Sequence, residues 1–174
     1  MTKTEMKKQE AALKRILKNQ KKITAVNGIL QNGTNQIITD TYRMIELNHP
    51  LDLPLDDKNR VTFDQARKLF PTDQQIESCD FLWLSLKEVR TIHKAAKEEI
   101  QAGLKPDGWP DWMIEIDGKY RLNARYLLDC MQALGYKDTL KYPLWIIPND
   151  NKAGKYFTYY LSSNQGRALL VGAR

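Results

Sequence analysis

Apolar residues recur every three or four positions at the start of the chain and every second position further on, and that change of period marks out the elements. At 100° per residue, Met6, Leu13, Ile16 and Leu17 share one stripe, which predicts a helix over about 5–19. Lys7, Lys8, Lys14, Arg15 and Lys18 group on its other side. The run 23–30 reads as a strand and leads into Asn32-Gly33, a hairpin signal. The return run 36–39 passes through Asp40-Thr41 into 42–47, which alternates as a half-buried strand does, and His49-Pro50 ends it. The first 50 residues therefore spell helix, strand, strand, strand.

The C-terminal part spells the same thing again. A strand over 112–116 is turned by Asp117-Gly118. Asn123 caps a helix whose apolar stripe is Leu127, Leu128, Met131 and Leu134, and Gly135 stops it. Strands follow at 142–147, 156–161 and 168–171, separated by the breakers Pro148-Asn149-Asp150-Asn151 and 162–166. A structural unit used twice is the expectation. The segment between has another character: 51–54 is extended, 62–69 forms a short helix, and Ser85-Leu86-Lys87-Glu88 is a capping box. That box opens a helix with Leu86, Val89, His93, Ala96 and Ile100 on one face and Gly103 beyond its end. The predicted architecture is one α+β domain over 1–174. Two helix-plus-antiparallel-strand halves, 1–50 and 112–174, are related by internal pseudo-symmetry around an inserted helical segment, 51–111.

Composition changes this picture little. Hydrophobic residues make up 42% and charged residues 28% of 174, as in an ordinary globular domain. No apolar run approaches the roughly 20 residues a membrane crossing needs, and the charged N-terminus lacks a signal sequence, so a cytoplasmic protein without a membrane partner is expected. Charge adds more. The net charge is +6, and the first 22 residues hold eight lysines and arginines against Glu5 and Glu10. A polyanion is a natural partner for such a run, and a solvated basic helix face is the plainer reading.

Candidate chemistry is sparse. Cys79 and Cys130 sit among apolar residues and read as buried free thiols. His49 ends a strand and His93 lies on an apolar helix face. Neither cysteines nor histidines have zinc-site spacing, and the chain carries no Gly-rich phosphate loop and no Gly-x-Ser-x-Gly elbow. Asp56-Asp57, Asp107 and Asp111 fall on loops, whereas Asp40 and Glu115 fall near strands and are the candidates for a two-metal nuclease. No catalytic residue, metal or cofactor is expected. Of four tryptophans, Trp83 and Trp145 lie in apolar runs and are expected in the core, while Trp109 and Trp112 flank Pro110 and are the better candidates for an exposed surface.

Four segments, taken in order, carry a resemblance. Thr39-Asp40-Thr41-Tyr42-Arg43-Met44 is similar to the Thr-Asp-Gly-(His/Tyr)-Arg-(Leu/Met) signature in the middle domain of the beta sliding clamps of bacterial DNA polymerase III. Leu69-Phe70-Pro71-Thr72-Asp73 with Ile76 loosely echoes the Phe-Pro-Asp-Tyr segment of those clamps. The run 120–129 with Ala133-Leu134 resembles the Phe-Asn-x-x-Tyr-Leu-Leu-Asp-x-Leu-x-Ala-Leu helix of the last clamp domain. The ending Ala168-Leu169-Leu170-Val171-Gly172-Ala173-Arg174 resembles the clamps' terminal strand. The chain departs from the family at Thr41, where glycine is usual, and at Gly172-Ala173, where proline and methionine are usual.

The resemblance implies a clamp-like fold whose helices meet DNA phosphates and whose apolar pocket takes a partner peptide. Carried over by position, the pocket residues are Thr39, Tyr42, Arg43, Met44, Leu170, Val171 and Arg174. The phosphate-contacting set is Lys7, Lys8, Lys14, Arg15, Lys18, Lys21 and Lys22. A clamp chain carries three such domains, so a ring of this chain needs some six copies, and a homo-oligomer is one expectation. The functional expectation is a non-catalytic accessory protein in DNA replication or repair, of phage or mobile-element type, with duplex or single-stranded DNA and a replication protein or peptide as partners. The alternative is a protein-interaction module that never touches DNA, with an apolar groove built from Met44, Leu170 and Val171. A metal-dependent nuclease is the third reading.

Overall fold

The computed structural model describes residues 2–18, 28–53, 61–105, 108, 110, 112–151 and 154–172. Helix α1 (Lys3–Lys18) begins two residues before the hydrophobic stripe announces it, and the reason is local. Thr2 Oγ1 accepts from the Glu5 amide and the Glu5 carboxylate accepts from the Thr2 amide, a capping box that satisfies two orphan donors. The same device opens α2 (Phe63–Arg67) at Thr62, α3 (Asp73–Glu77) at Thr72 and α4 (Leu86–Gln101) at Ser85. Helix α5 (Ala124–Ala133) is capped by Asn123, whose side chain accepts from the amides of Arg125 and Tyr126. Gly135, at φ 70°, follows its C-terminus.

Strands β1 (Gly28–Asn32), β2 (Asn35–Thr39) and β3 (Arg43–Leu47) form a meander, with a two-residue turn at Gly33-Thr34. Strand β4 (Asp80–Leu84) precedes α4, and β5 (Met113–Ile116) pairs with β6 (Tyr120–Asn123) as a separate hairpin. A second meander is built from β7 (Tyr142–Asn151), β8 (Gly154–Ser163) and β9 (Gly166–Val171). The main sheet runs β1-β2-β3-β9-β8-β7-β4, with every neighbouring pair antiparallel. Its middle is the seam between β3 and β9, where Arg43 lies opposite Leu170 and Leu47 opposite Gly166. At that seam a Cβ on Gly166 would lie 2.0 Å from the backbone oxygen of Glu46, so glycine is what lets the strands approach.

Period-two alternation gives the sheet two apolar faces, and each acquires its own cover. On one face Ile38, Ile45, Tyr159, Ala168 and Leu170 pack against α1, α4, α5 and the β5–β6 hairpin. Helix α5 contacts both α1 and α4. On the other face Leu30, Ile37, Met44 and Tyr160 pack under Phe63 and Ala66 of α2 and under Phe70. The result is an α+β protein with a large antiparallel sheet, and among the described residues no helix is long and apolar enough to cross a membrane.

Several expectations need correction. The segment 51–111 is not purely helical, because β4 joins the main sheet beside β7. Pro148-Asn149-Asp150-Asn151 does not break a strand but continues β7, with Pro148 opposite Phe157. Strand β6 lies where only a turn and a helix cap were expected. Trp83, expected in the core, is 55% exposed, because β4 is the outermost strand of the main sheet. Trp145 is half-buried against the α2 side, and Trp112 is half-buried rather than exposed. Cys130 is buried as expected, while Cys79 is half-buried. Trp109 and the greater part of the expected strand at 23–30 lie outside the described residues.

Candidate functional site

The basic surface predicted from the first helix is present on α1. Gln9, Ala12, Leu13 and Ile16 form its buried stripe, and Gln9 Nε2 donates to the Ala133 carbonyl oxygen at 2.7 Å, which satisfies an acceptor at the end of α5. The opposite side carries Lys3, Lys7, Lys8, Lys14 and Lys18, all exposed. Met6, expected on the apolar stripe, is exposed among them. Not every predicted cation stands in the same position. Lys14 pairs with Glu10 one turn away at 2.6 Å, a surface contact worth little.

Arg15 corrects the prediction more sharply, because it takes part in a charge network that ties elements together. Its Nε and Nη2 reach Asp129 Oδ1 at 2.7 and 2.6 Å, and Nη2 also donates to Gln132 Oε1 at 2.7 Å. The other oxygen of Asp129 accepts from Arg43 Nη1 at 2.6 Å. Arg43 Nε donates to Asp40 Oδ2 at 2.9 Å, and its guanidinium lies 4.2 Å from the centre of the Tyr126 ring. Asp40 Oδ1 in turn accepts from the amides of Tyr42 and Arg43. Two carboxylates thus face two guanidiniums across α1, α5 and the start of β3. Burial works against the charge on Arg43, yet its pKa lies above the usual value because Asp40 and Asp129 favour the cation. Burial pushes the neighbouring Cys130 thiol up to about 12, so it stays protonated.

A second network lies on the sheet's other face. Glu46, buried on β3, accepts from Arg167 Nε and Nη2 at 2.6 Å each and from Arg67 Nε at 3.1 Å. Arg167 also sits 4.4 Å from the centre of the Phe70 ring. One strand, β3, therefore offers opposite charges, three residues apart, to opposite faces, and each anchors a helix cover to the seam.

The carried-over pocket residues do come together in the backbone, since β3 and β9 are paired neighbours. They do not line one groove. Thr39 and Met44 are buried on the α2 face, while Arg43 and Leu170 are buried beneath α5. A groove using Met44, Leu170 and Val171 together is ruled out by that alternation. Tyr42 and Val171 are the exposed members, linked by a hydrogen bond from the Val171 amide to the Tyr42 carbonyl at 2.9 Å. Lys21, Lys22 and Arg174 lie outside the described residues. Of the carboxylates weighed for metal catalysis, Asp40 is held by Arg43, and Glu115 accepts from Arg121 Nε at 2.9 Å within the β5–β6 hairpin. Among the described residues, no group of three histidine, cysteine or acidic side chains is placed to hold a metal ion.

Thr41 takes φ 79°, a region that costs a β-branched residue most. Exchanging Thr41→Gly is expected to raise stability by about 1 kcal/mol, the relief of strain outweighing the entropy of a freer unfolded chain. A urea melt measures it, and an unchanged or lower midpoint would show the turn to be unstrained.

Comparison with protein-family models finds no match, and the same holds for curated proteins and for solved structures.

Proposed function

We propose that this chain is a non-catalytic, clamp-like accessory protein that acts on DNA in replication or repair, with its helical layer turned toward the phosphate backbone. The observation that carries this reading is the outward face of α1, where Lys3, Lys7, Lys8, Lys14 and Lys18 stand exposed. The layout of the sheet supports it. Read from β1 toward the seam and from β7 toward the seam, the order is the same: a helix, then three antiparallel strands, with α1 and α5 on one face. An order of this kind is what two clamp-like halves would give, and in that way it supports the reading. Thr41 supports it too, since the resembled motif has glycine at the very residue that here takes a positive φ.

The mechanism is electrostatic. Each lysine that meets a phosphate releases counterions, so affinity falls steeply with salt. Three or four contacts from α1 correspond to a slope of about −3 to −4 in log affinity against log salt on duplex DNA. Fluorescence anisotropy with duplex and single-stranded oligonucleotides across a salt series is the test. Changing Lys7, Lys8 and Lys18 together to glutamate is expected to abolish binding, whereas Arg15→Ala, which removes a cation already paired with Asp129, is expected to reduce the slope far less. Absence of binding to either DNA form at low salt would overturn the proposal.

A further inference from the structure

Strand β4 pairs with β7 on one side, and among the described residues no strand pairs with its other side. Open edges recruit further strands, and proteins usually blunt them with lysine, proline or a bulge. The sequence Asp80-Phe81-Leu82-Trp83-Leu84 has none of these residues, and its one charge sits at the end. Phe81 and Trp83 are 48% and 55% exposed on the α2 side of the sheet, in edge-to-face contact with ring centroids 5.7 Å apart. Below the edge, Leu84 and Ile92 line an open, largely apolar depression rimmed by Lys87 and Glu88.

We propose that the free edge of β4 is a self-association site, where two copies of the chain pair their β4 strands antiparallel about a twofold axis at Leu82. A second copy is the occupant because the strand is complementary to itself. In that register Phe81 faces Trp83 of the partner subunit on the same side of the sheet, and the axis repeats the contact, as an isologous interface requires. Charge is compatible with it as well. Asp80 falls opposite Leu84 of the partner subunit, and the two Asp80 carboxylates stay roughly 14 Å apart at 3.4 Å per residue, beyond the screening length at physiological salt. The rim carries both signs in Lys87 and Glu88, so a copy meets no excess of like charge. Two half-exposed aromatics and a short ladder make a small footprint, which corresponds to a weak, concentration-dependent dimer. The proposal is independent of the DNA reading.

Sedimentation equilibrium of the full chain, from low micromolar to near-millimolar concentration, is the test. The expected result is a monomer–dimer equilibrium that stops at two. Trp83→Glu and Phe81→Lys are each expected to raise the dimer dissociation constant roughly tenfold or more, since each sets a charge against an apolar partner at the centre of the contact. Both side chains are about half exposed, so neither change removes core packing, and thermal melts of the two variants serve as the control. The double variant Phe81→Lys/Trp83→Glu places opposite charges face to face across the axis and is expected to recover most of the lost affinity. A wild-type chain that stays monomeric throughout overturns the proposal. So does growth past two copies, as joining of β4 to β1 of the next copy would give. Dimerisation that Trp83→Glu leaves untouched, or a double variant no better than the weaker single, overturns it equally.

Discussion

Ending the chain after Ala168 is expected to leave a protein that no longer melts cooperatively. The cut removes only the last part of β9, but that strand lies in the middle of the sheet, between β3 and β8. Leu170 is fully buried under α5, and Leu169 lies between Met44 and Tyr160 on the other face. Burial of each leucine contributes up to about 1.5–3 kcal/mol. The ladder bonds to both neighbours vanish with them, so the start of β3 and the middle of β8 each acquire an unpaired edge. Against a typical net stability of about 5–15 kcal/mol, the sum is large enough to unfold the domain. Circular dichroism and limited proteolysis measure the outcome. A truncated chain with the melting curve of the full one would mean that the seam contributes little.

The second large effect is expected at Asp129. Asp129→Ala strips Arg43 of one of its two carboxylates while 2% of the Arg43 side chain is exposed, and breaking such a buried pair costs about 3–5 kcal/mol. Arg15→Ala removes a partner from the same carboxylate, but the Arg15 side chain is 49% exposed and water replaces the contact, so about 0–1 kcal/mol is expected. Urea denaturation of the two variants side by side separates the cases. Equal losses would show that the network acts through the surface pair rather than through Arg43.

Long elements with one dominant period were legible in the sequence. The stripe of α1, the Ser85 capping box of α4 and the Asn123 cap of α5 all lie where pattern and turn chemistry put them, and the hairpin signalled by Asn32-Gly33 turns one residue later, at Gly33-Thr34. Two further capping boxes, Thr62 with Gln65 and Thr72 with Gln75, obey the same rule and mark α2 and α3 as plainly. Strand β4 was hidden because Phe81-Leu82-Trp83-Leu84 is apolar on both faces, so alternation leaves no trace. Strand β6 was hidden because it runs directly into the α5 cap within four residues. Pro148 looked like a breaker but lies exposed in β7, the kind of position where a strand tolerates proline.

The basic face of α1 could be read because helical period alone sorts its lysines from its leucines. The tie from Arg15 to Asp129 could not, since it joins residues 114 positions apart. Nor could the burial of Arg43, whose partner on α5 is set by how the two meanders meet. Charge that looks available in a helical wheel is available only after the rest of the fold has declined to use it.

The seam between β3 and β9 also sets the order in which this protein can be made. Residues 43–47 find their partners only at 166–170, so every contact across the middle of the sheet waits for β9 to be synthesised. Until then β3 and β8 are nascent strands with open inner edges, the condition under which chains misassociate. Pairing at such separation is slow, because the closure of a long loop precedes any reward from contact. The first meander therefore emerges with α1 and α2 but without α4, α5 and the second meander, and the finished core forms only once β9 is in place.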